Sequence, residues 1–131
     1  MARRETAARR YADAAFEIGR SDGTLEEWER DLLTLRDALG NEQLRRLVQH
    51  PAIAFAEKEQ VLREVARSVA REPLSLALLM VRRGRPGAID AMVDRFRELV
   101  RKEMDSPTQR RLVEQFLGEF KPAKPAKSSR S

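Results

Sequence analysis

The sequence predicts an all-α protein: a six-helix bundle over residues 1–105, an additional amphipathic helix over 106–120 and a disordered tail over 121–131. Apolar residues recur at three- and four-residue spacing along most of the chain, which indicates helices. Glycine, proline and asparagine residues divide the chain at positions typical of helix ends. No stretch shows the apolar and polar alternation of a half-buried strand. A length of 131 residues suits one domain.

The first predicted helix, from Thr6 to Arg20, is apolar over an unusually wide face. Its polar residues share one narrow arc, which leaves an apolar arc of roughly 200°, whereas packing on a single core needs only about 100°. Two adjacent stripes make up this arc: Ala7, Tyr11, Ala14 and Ile18, and Ala8, Ala12, Ala15 and Gly19. We therefore expect two neighbours for this helix, although alanine-rich faces are also common inside ordinary bundles.

The next three predicted helices have one apolar face each. The second begins at Thr24, which forms a capping-box pattern with Glu27, and ends at Gly40. Asn41 is positioned to cap the third, which ends before Pro51 because the residue before a proline avoids the helical conformation. The fourth follows after Phe55, and its apolar face consists of Val61, Leu62, Val65, Ala66 and Val69.

The fifth predicted helix, from Pro73 to Arg83, contains six consecutive apolar residues, Leu76–Val81. Proline suits the first turn, where its missing N–H is not needed, and Gly84 suits the residue just past the end. A helix that is apolar on every side must be covered on every side. It is therefore either the central helix of the bundle or a helix whose outer face is covered by something else.

A long amphipathic helix is predicted from Ile89 to Met104, and Asp105-Ser106-Pro107 then marks a stop and a restart. The last amphipathic helix carries apolar residues from Leu112 to Phe120. Residues 121–131 consist of lysine, proline, alanine, serine and one arginine. They hold nothing that can bury appreciable area, so we expect this tail to be disordered.

The net charge of +5 and the isoelectric point near 10.2 raise the question of nucleic-acid binding. Four of the 26 basic residues and none of the 21 acidic ones lie in residues 121–131, so the rest of the chain carries a net charge of only +1. There is no cysteine, which excludes disulfides and favours a reducing compartment. The longest apolar run is far shorter than the roughly 20 residues that span a bilayer.

The sequence contains no recognisable catalytic, cofactor-binding or metal-binding motif. It has no glycine-rich phosphate loop, no paired metal ligands and no nucleophile elbow. Its only histidine, His50, has no second histidine, cysteine or carboxylate pair at ligand spacing, so we expect a turn residue. The surplus apolar surface of the first and fifth helices is the distinctive feature, and such surface usually marks a binding site.

Three segments resemble a known family: Ala8–Ile18, then Leu47–Ile53 followed by Lys58, then Leu78–Arg85. In this order and at these separations they are similar to the N-terminal domain of the delta subunit of rotary ATP synthases, called the oligomycin-sensitivity-conferring protein in mitochondria. The resemblance covers about residues 3–104. It implies a six-helix domain whose first and fifth helices form a groove for the N-terminal helix of an alpha subunit. These are the two helices with surplus apolar surface.

The resemblance implies a mechanical function. A subunit of this family catalyses nothing and needs no cofactor; it joins the catalytic head to the peripheral stalk, at the cytoplasmic face of a bacterial inner membrane. We expect the partner-helix groove to be lined by Ala7, Tyr11, Ala14 and Ile18 of the first helix and by Leu76, Leu79, Met80 and Arg83 of the fifth.

The sequence departs from the family after Asp105. Family members usually continue into a C-terminal domain that contains strands and contacts a b-type stalk subunit, and no strand pattern follows here. We therefore expect either a truncated chain or a short variant in which the last amphipathic helix has a different function. Of the partners that the resemblance implies, the b-type stalk subunit is the one it supports least, because the domain that usually contacts it does not follow here. Two other functions stay open: a helical adaptor for another amphipathic peptide, and a small nucleic-acid-binding protein that uses its basic tail. Nucleic-acid binding would weaken steeply with salt, whereas groove binding would barely change.

Deletion of residues 121–131 should leave the fold intact, because this tail holds no side chain large enough to contribute to a core. The thermal midpoint of the shortened chain, followed by circular dichroism, should shift by less than about 2 °C. A large decrease would mean that the tail docks on the folded part.

Overall fold

The computed structural model describes the backbone of residues 2–105, 111, 114 and 115, and the side chains among these from Ala7 onward. The described residues form six helices and no strand: α1 (Ala2–Asp22), α2 (Leu25–Gly40), α3 (Glu42–Gln49), α4 (Phe55–Val65), α5 (Arg71–Arg82) and α6 (Ala88–Asp105). The all-α, six-helix prediction is confirmed for this part of the chain. The predicted helix over 106–120 lies outside the described residues except for 111, 114 and 115, which are helical, and the tail over 121–131 lies wholly outside them.

The chain divides into two compact units, residues 1–99 and 100–131. The buried apolar side chains of the described residues belong to the first unit. An aromatic cluster lies among them, where the Phe96 ring of α6 packs with its centroid 6.4 Å from Phe16 of α1 and 6.5 Å from Trp28 of α2. Trp28 is only 3% exposed, as expected for a core residue. The cluster fixes α1, α2 and α6 against one another.

The turn between α1 and α2 explains why one predicted detail is wrong. Gly23 adopts a positive φ of 72°, and the N–H of Thr24 donates to the carbonyl of Gly19 at 2.8 Å, which closes the end of α1. This turn leaves Thr24 at φ −123° and ψ 31°, outside the extended conformation of a capping residue, and its side chain makes no capping hydrogen bond. Thr24 therefore directly precedes α2, but without the predicted capping box.

The predicted cap of α3 is confirmed. Asn41 is extended, at φ −69° and ψ 128°, and its Oδ1 accepts a hydrogen bond from the N–H of Leu44 at 3.0 Å. At the same junction, the Arg45 side chain donates through Nε to the carbonyl of Leu39 at 2.7 Å. One short segment thus satisfies the carbonyl end of α2 and the amide end of α3.

The predicted apolar face of α4 is partly wrong. The helix ends at Val65, and the N–H of Val69 donates to the carbonyl of Ala66 at 2.9 Å in the turn that follows. The helical period therefore stops at residue 65. Ala66 and Val69 are buried through the turn, while the Val65 side chain is left 54% exposed.

The N-terminus of α5 is capped by a side chain from another helix. Ala70 precedes α5 and has no side chain that can cap it, but its N–H donates to Oδ2 of Asp31 on α2 at 3.1 Å. Asp31 is the buried charged residue of the described chain, at 5% exposure, and Arg30 Nε lies 3.9 Å from its other carboxylate oxygen. Its negative charge also complements the partial positive charge of the helix N-terminus. Asp31 therefore determines where α5 begins relative to α2.

Replacement of Asp31 by alanine should lower the free energy of unfolding by about 1–3 kcal/mol, because the amide at the start of α5 loses its buried acceptor. Urea denaturation measures the change. Asp37→Ala, which removes an exposed carboxylate from the same helix, is the matched control and should cost less than about 0.5 kcal/mol. Equal effects of the two substitutions would contradict a capping role for Asp31.

Candidate functional site

The two apolar stripes of α1 have different environments. Ala8, Ala12 and Ala15 are at most 1% exposed and pack into the core. The stripe formed by Ala7, Tyr11, Ala14 and Ile18 is not enclosed: the first two residues are half-buried and the last two are exposed, Ile18 to 38%. The surplus arc of this helix therefore faces outward in the described structure.

The C-terminal half of α5 presents a second partly open apolar surface. Ala77, Leu78 and Val81 are buried, whereas Leu76 and Leu79 are half-buried. Together with exposed residues in its first turns, this means that α5 is not enclosed on all sides. Of the two possibilities that the sequence left open, the described residues therefore match a helix with an outer face that the bundle leaves partly uncovered.

A pocket of about 140 Å³ joins the two helices. It is lined by Ala7, Tyr11, Met80, Arg83, Arg85 and Ala88. We use the name α1–α5 groove for this pocket together with the outward stripe of α1 and with Leu76 and Leu79, which the sequence predicts to line one site. Four of the eight predicted groove residues line the pocket itself, and one of these, Met80, forms its floor at 1% exposure. The remaining four, Ala14, Ile18, Leu76 and Leu79, do not line the pocket.

Sequence reasoning missed two pocket residues, Arg85 and Ala88, because a turn places them there. Gly84 has a positive φ of 72°, and the N–H of Arg85 donates to the carbonyl of Met80 at 2.8 Å. The N–H of Gly84 donates to the carbonyl of Val81 at 2.9 Å, which completes the double hydrogen bond of a Schellman turn. The turn reverses the chain at the end of α5, so residues beyond the helix lie beside its last turn. Gly84, a glycine just past the end of the predicted fifth helix, was the sequence feature that could have indicated this turn.

Three arginines near this turn have different environments. The guanidinium carbon of Arg82 lies 4.5 Å from the centroid of the Phe55 ring, at the start of α4. Arg83 and Arg85 line the pocket and are exposed, and within the described residues neither forms an ion pair. No acidic side chain lines the pocket. This end of the groove is therefore positively charged and favours an acidic group on whatever enters it.

No group of three or more histidine, cysteine, aspartate or glutamate side chains among the described residues could hold a metal ion. His50 is exposed after α3, and its Nδ1 accepts a hydrogen bond from the N–H of Ala52 at 3.1 Å, as expected for a turn residue. Within the same residues, no helix is both long and apolar enough to cross a lipid bilayer.

A helical domain with an apolar, partly open groove between two of its helices is of the class that can receive an amphipathic partner helix. The family model of the ATP synthase delta (OSCP) subunit matches residues 7–108 of the chain. The protein belongs to this family.

Similar curated proteins are bacterial ATP synthase delta subunits. The protein of Anaeromyxobacter sp. strain Fw109-5 is 32% identical over 95 residues, which are 70% of this chain and 53% of the relative. That of Oceanobacillus iheyensis is 34% identical over 94 residues, 71% of this chain and 52% of the relative. That of Bacillus subtilis is 26% identical over 93 residues, 70% of this chain and 51% of the relative. The chain spans about half the length of the curated relatives it matches.

Gly84→Ala should destabilise the fold by about 1–2 kcal/mol, because an L-residue is strained at this positive φ. A Cβ at Gly84 would meet no atom within 4 Å, so the cost is one of backbone conformation alone. Gly40→Ala is the matched control: a Cβ there also meets open space, and the residue ends α2 without a positive φ, so stability should be unchanged or raised. Chemical denaturation compares the two. Equal stability of both variants would contradict the strained turn.

Proposed function

We propose that the protein is a non-catalytic peripheral-stalk, or stator, subunit of a proton-translocating ATP synthase. In this proposal the α1–α5 groove binds the N-terminal helix of an alpha subunit and so links the catalytic head to the stalk. The observation that carries it is the pocket that Ala7 and Tyr11 of α1 share with Met80 and Arg83 of α5, in a chain of the delta subunit family. Resistance to rotor torque is a mechanical role, which requires no cofactor or metal ion.

The spacing of the groove residues supports a helix as the occupant. Ala7, Tyr11, Ala14 and Ile18 recur at intervals of three and four residues, so they form a continuous stripe along α1. An amphipathic helix laid against such a stripe presents anchors at i, i+3, i+4 and i+7. The two alanines allow its backbone to approach closely, while Tyr11 and Ile18 provide larger apolar contacts. The groove would thus be closed by apolar packing along its length.

The charge of the groove supports one orientation of that helix. Arg83 and Arg85 lie at one end, and no acidic residue lines the pocket beside them. A carboxylate on the partner helix would pair with these arginines and set its register, because charged groups at an interface fix orientation more than they add affinity. The apolar stripe supplies affinity and the arginines select the direction.

The location follows from the complex. As a subunit of the synthase, the protein would be peripheral to the membrane and would lie on the cytoplasmic face of a bacterial inner membrane, held there by its partners. The proposal concerns the link between this protein and the catalytic head of the synthase.

Ala14→Asp should abolish tight binding of a synthetic alpha-subunit N-terminal peptide while leaving the chain folded. Ala14 is exposed in the free protein, but the bound helix would cover it, and an unpaired carboxylate in a closed apolar contact is unfavourable. Isothermal titration calorimetry should show an increase in Kd of at least about 30-fold, or about 2 kcal/mol.

Two further variants make this test specific. Ala56→Asp introduces the same side chain at an exposed position of α4 and should leave the Kd unchanged. Ala12→Asp places a carboxylate in the core, at 0% exposure, and should unfold the chain as judged by circular dichroism. If Ala14→Asp also unfolds, Ala14 is interior; if it binds the peptide normally, the groove does not receive the helix. Either result refutes this assignment.

A further inference from the structure

A second apolar groove lies along α4 and shares no residue with the first. Its volume is about 480 Å³, within the range of about 300–1,000 Å³ typical of binding clefts. It is lined by Leu47 of α3, Ile53 of the connection and Glu57, Gln60, Val61, Glu64 and Val65 of α4. We call this surface the α3–α4 groove.

The apolar lining of the α3–α4 groove is not required by the core. Leu62 of α4 and Ala66 of the turn that follows are fully buried, so the inner side of this segment already packs against the bundle. Leu47, Ile53 and Val61 are half-buried, and Val65 is 54% exposed. Val65 is one of three large apolar side chains that are exposed among the described residues, and another, Ile18, belongs to the α1–α5 groove. The α3–α4 groove is thus available to an apolar ligand.

The shape of this groove favours a helix. The α4 residues that line it lie at positions 57, 60, 61, 64 and 65, so it follows the helix axis for about two turns, or about 12 Å. Its walls are helices and a turn, which offer no strand edge for an added strand, and no aromatic ring lines it, as recognition of a polyproline segment would require. A helix with an apolar stripe remains as the suitable occupant.

The charge of the groove defines the polar face of that helix. Glu57 and Glu64 line it, and no basic side chain does. Within the described residues Glu57 forms no ion pair, and Glu64 pairs only with Arg67, at 3.3 Å and with both side chains more than 70% exposed. Such an exposed pair is weak and easily exchanged. The α1–α5 groove, which is lined by two arginines, has the opposite sign.

We propose that the α3–α4 groove binds a basic amphipathic helix of a partner chain, distinct from the helix assigned to the α1–α5 groove. Its apolar stripe lies on Leu47, Val61 and Val65, and lysines or arginines that flank the stripe pair with Glu57 and Glu64. This inference rests on the geometry and charge of the α3–α4 groove alone and does not require the proposed function.

Two synthetic peptides test the proposal on the 131-residue chain. Both are about 14 residues long, or about four helical turns, and carry the same leucine stripe; the polar positions are lysine in one and glutamate in the other. In methyl NMR titrations the lysine peptide should shift Leu47, Ile53, Val61 and Val65, and the glutamate peptide should leave them in place. Failure of the lysine peptide to shift these methyl groups, or equal shifts with both peptides, would overturn the proposal.

Matched variants separate the apolar and charged contributions. Val65→Ser should raise the Kd of the lysine peptide at least tenfold, whereas Ile18→Ser, which removes an exposed apolar side chain from the other groove, should leave it unchanged. Glu57→Gln combined with Glu64→Gln should weaken binding several-fold. Asp22→Asn combined with Asp37→Asn changes the net charge equally at exposed sites outside the groove and should have no such effect. Equal effects within either pair would overturn the proposal.

Other occupants give different outcomes. Sedimentation that reveals a dimer of the chain, lost in Val65→Ser, would assign the groove to a second copy and overturn the proposal. Lysine-peptide binding that tightens when residues 106–131 are deleted would assign it to the chain's own C-terminal residues, with the same consequence. Loss of alpha-peptide binding in Ala14→Asp concerns only the α1–α5 groove, so failures of the two proposals are distinguishable.

Discussion

The position of α5 depends on the hydrogen bond between the Asp31 carboxylate and the N–H of Ala70. A helix N-terminus carries amides without intrahelical acceptors, and the residues before α5 provide no capping side chain of their own. The acceptor therefore has to come from elsewhere, and α2 supplies it. Because α2 also packs through Trp28 on the aromatic cluster, this bond ties α5 to the core. The α1–α5 groove needs that tie, since one of its walls is α5.

The features that depend on local sequence could be predicted, and those that depend on chain reversal could not. Asn41 marks the start of α3 because its side chain can cap that helix. Gly84 marks the end of α5 because a glycine readily adopts a positive φ. The outward stripe of α1 was predictable because its apolar arc exceeds what one core can cover. Arg85 and Ala88 were missed since their place in the pocket is set by the turn after α5. The exposure of Val65 does not follow from the sequence, because a periodic pattern predicts an apolar face for α4 but not how much of that face the bundle covers.

The two proposed grooves would allow a chain whose first 120 residues are nearly neutral to discriminate between partners. Its charge is not evenly spread: arginines line one groove and glutamates the other. Each groove has an apolar wall, which would accept many amphipathic helices with little selectivity. The opposite charges would supply the discrimination, because a helix suited to one groove would be repelled by the other.

The two ends of α5 are held by interactions of different stiffness. At its N-terminus the carboxylate of Asp31 accepts a hydrogen bond, and hydrogen bonds weaken steeply when their angle is distorted. Near its C-terminus the Arg82 guanidinium stacks over the Phe55 ring, an attraction that persists over a broad range of positions within about 6 Å of the ring. The contact at the N-terminus therefore tolerates less displacement of the helix than the contact near the C-terminus does. The C-terminal end carries Arg83 and the pocket, so the more adaptable of these two contacts lies beside the site where the proposed partner would attach.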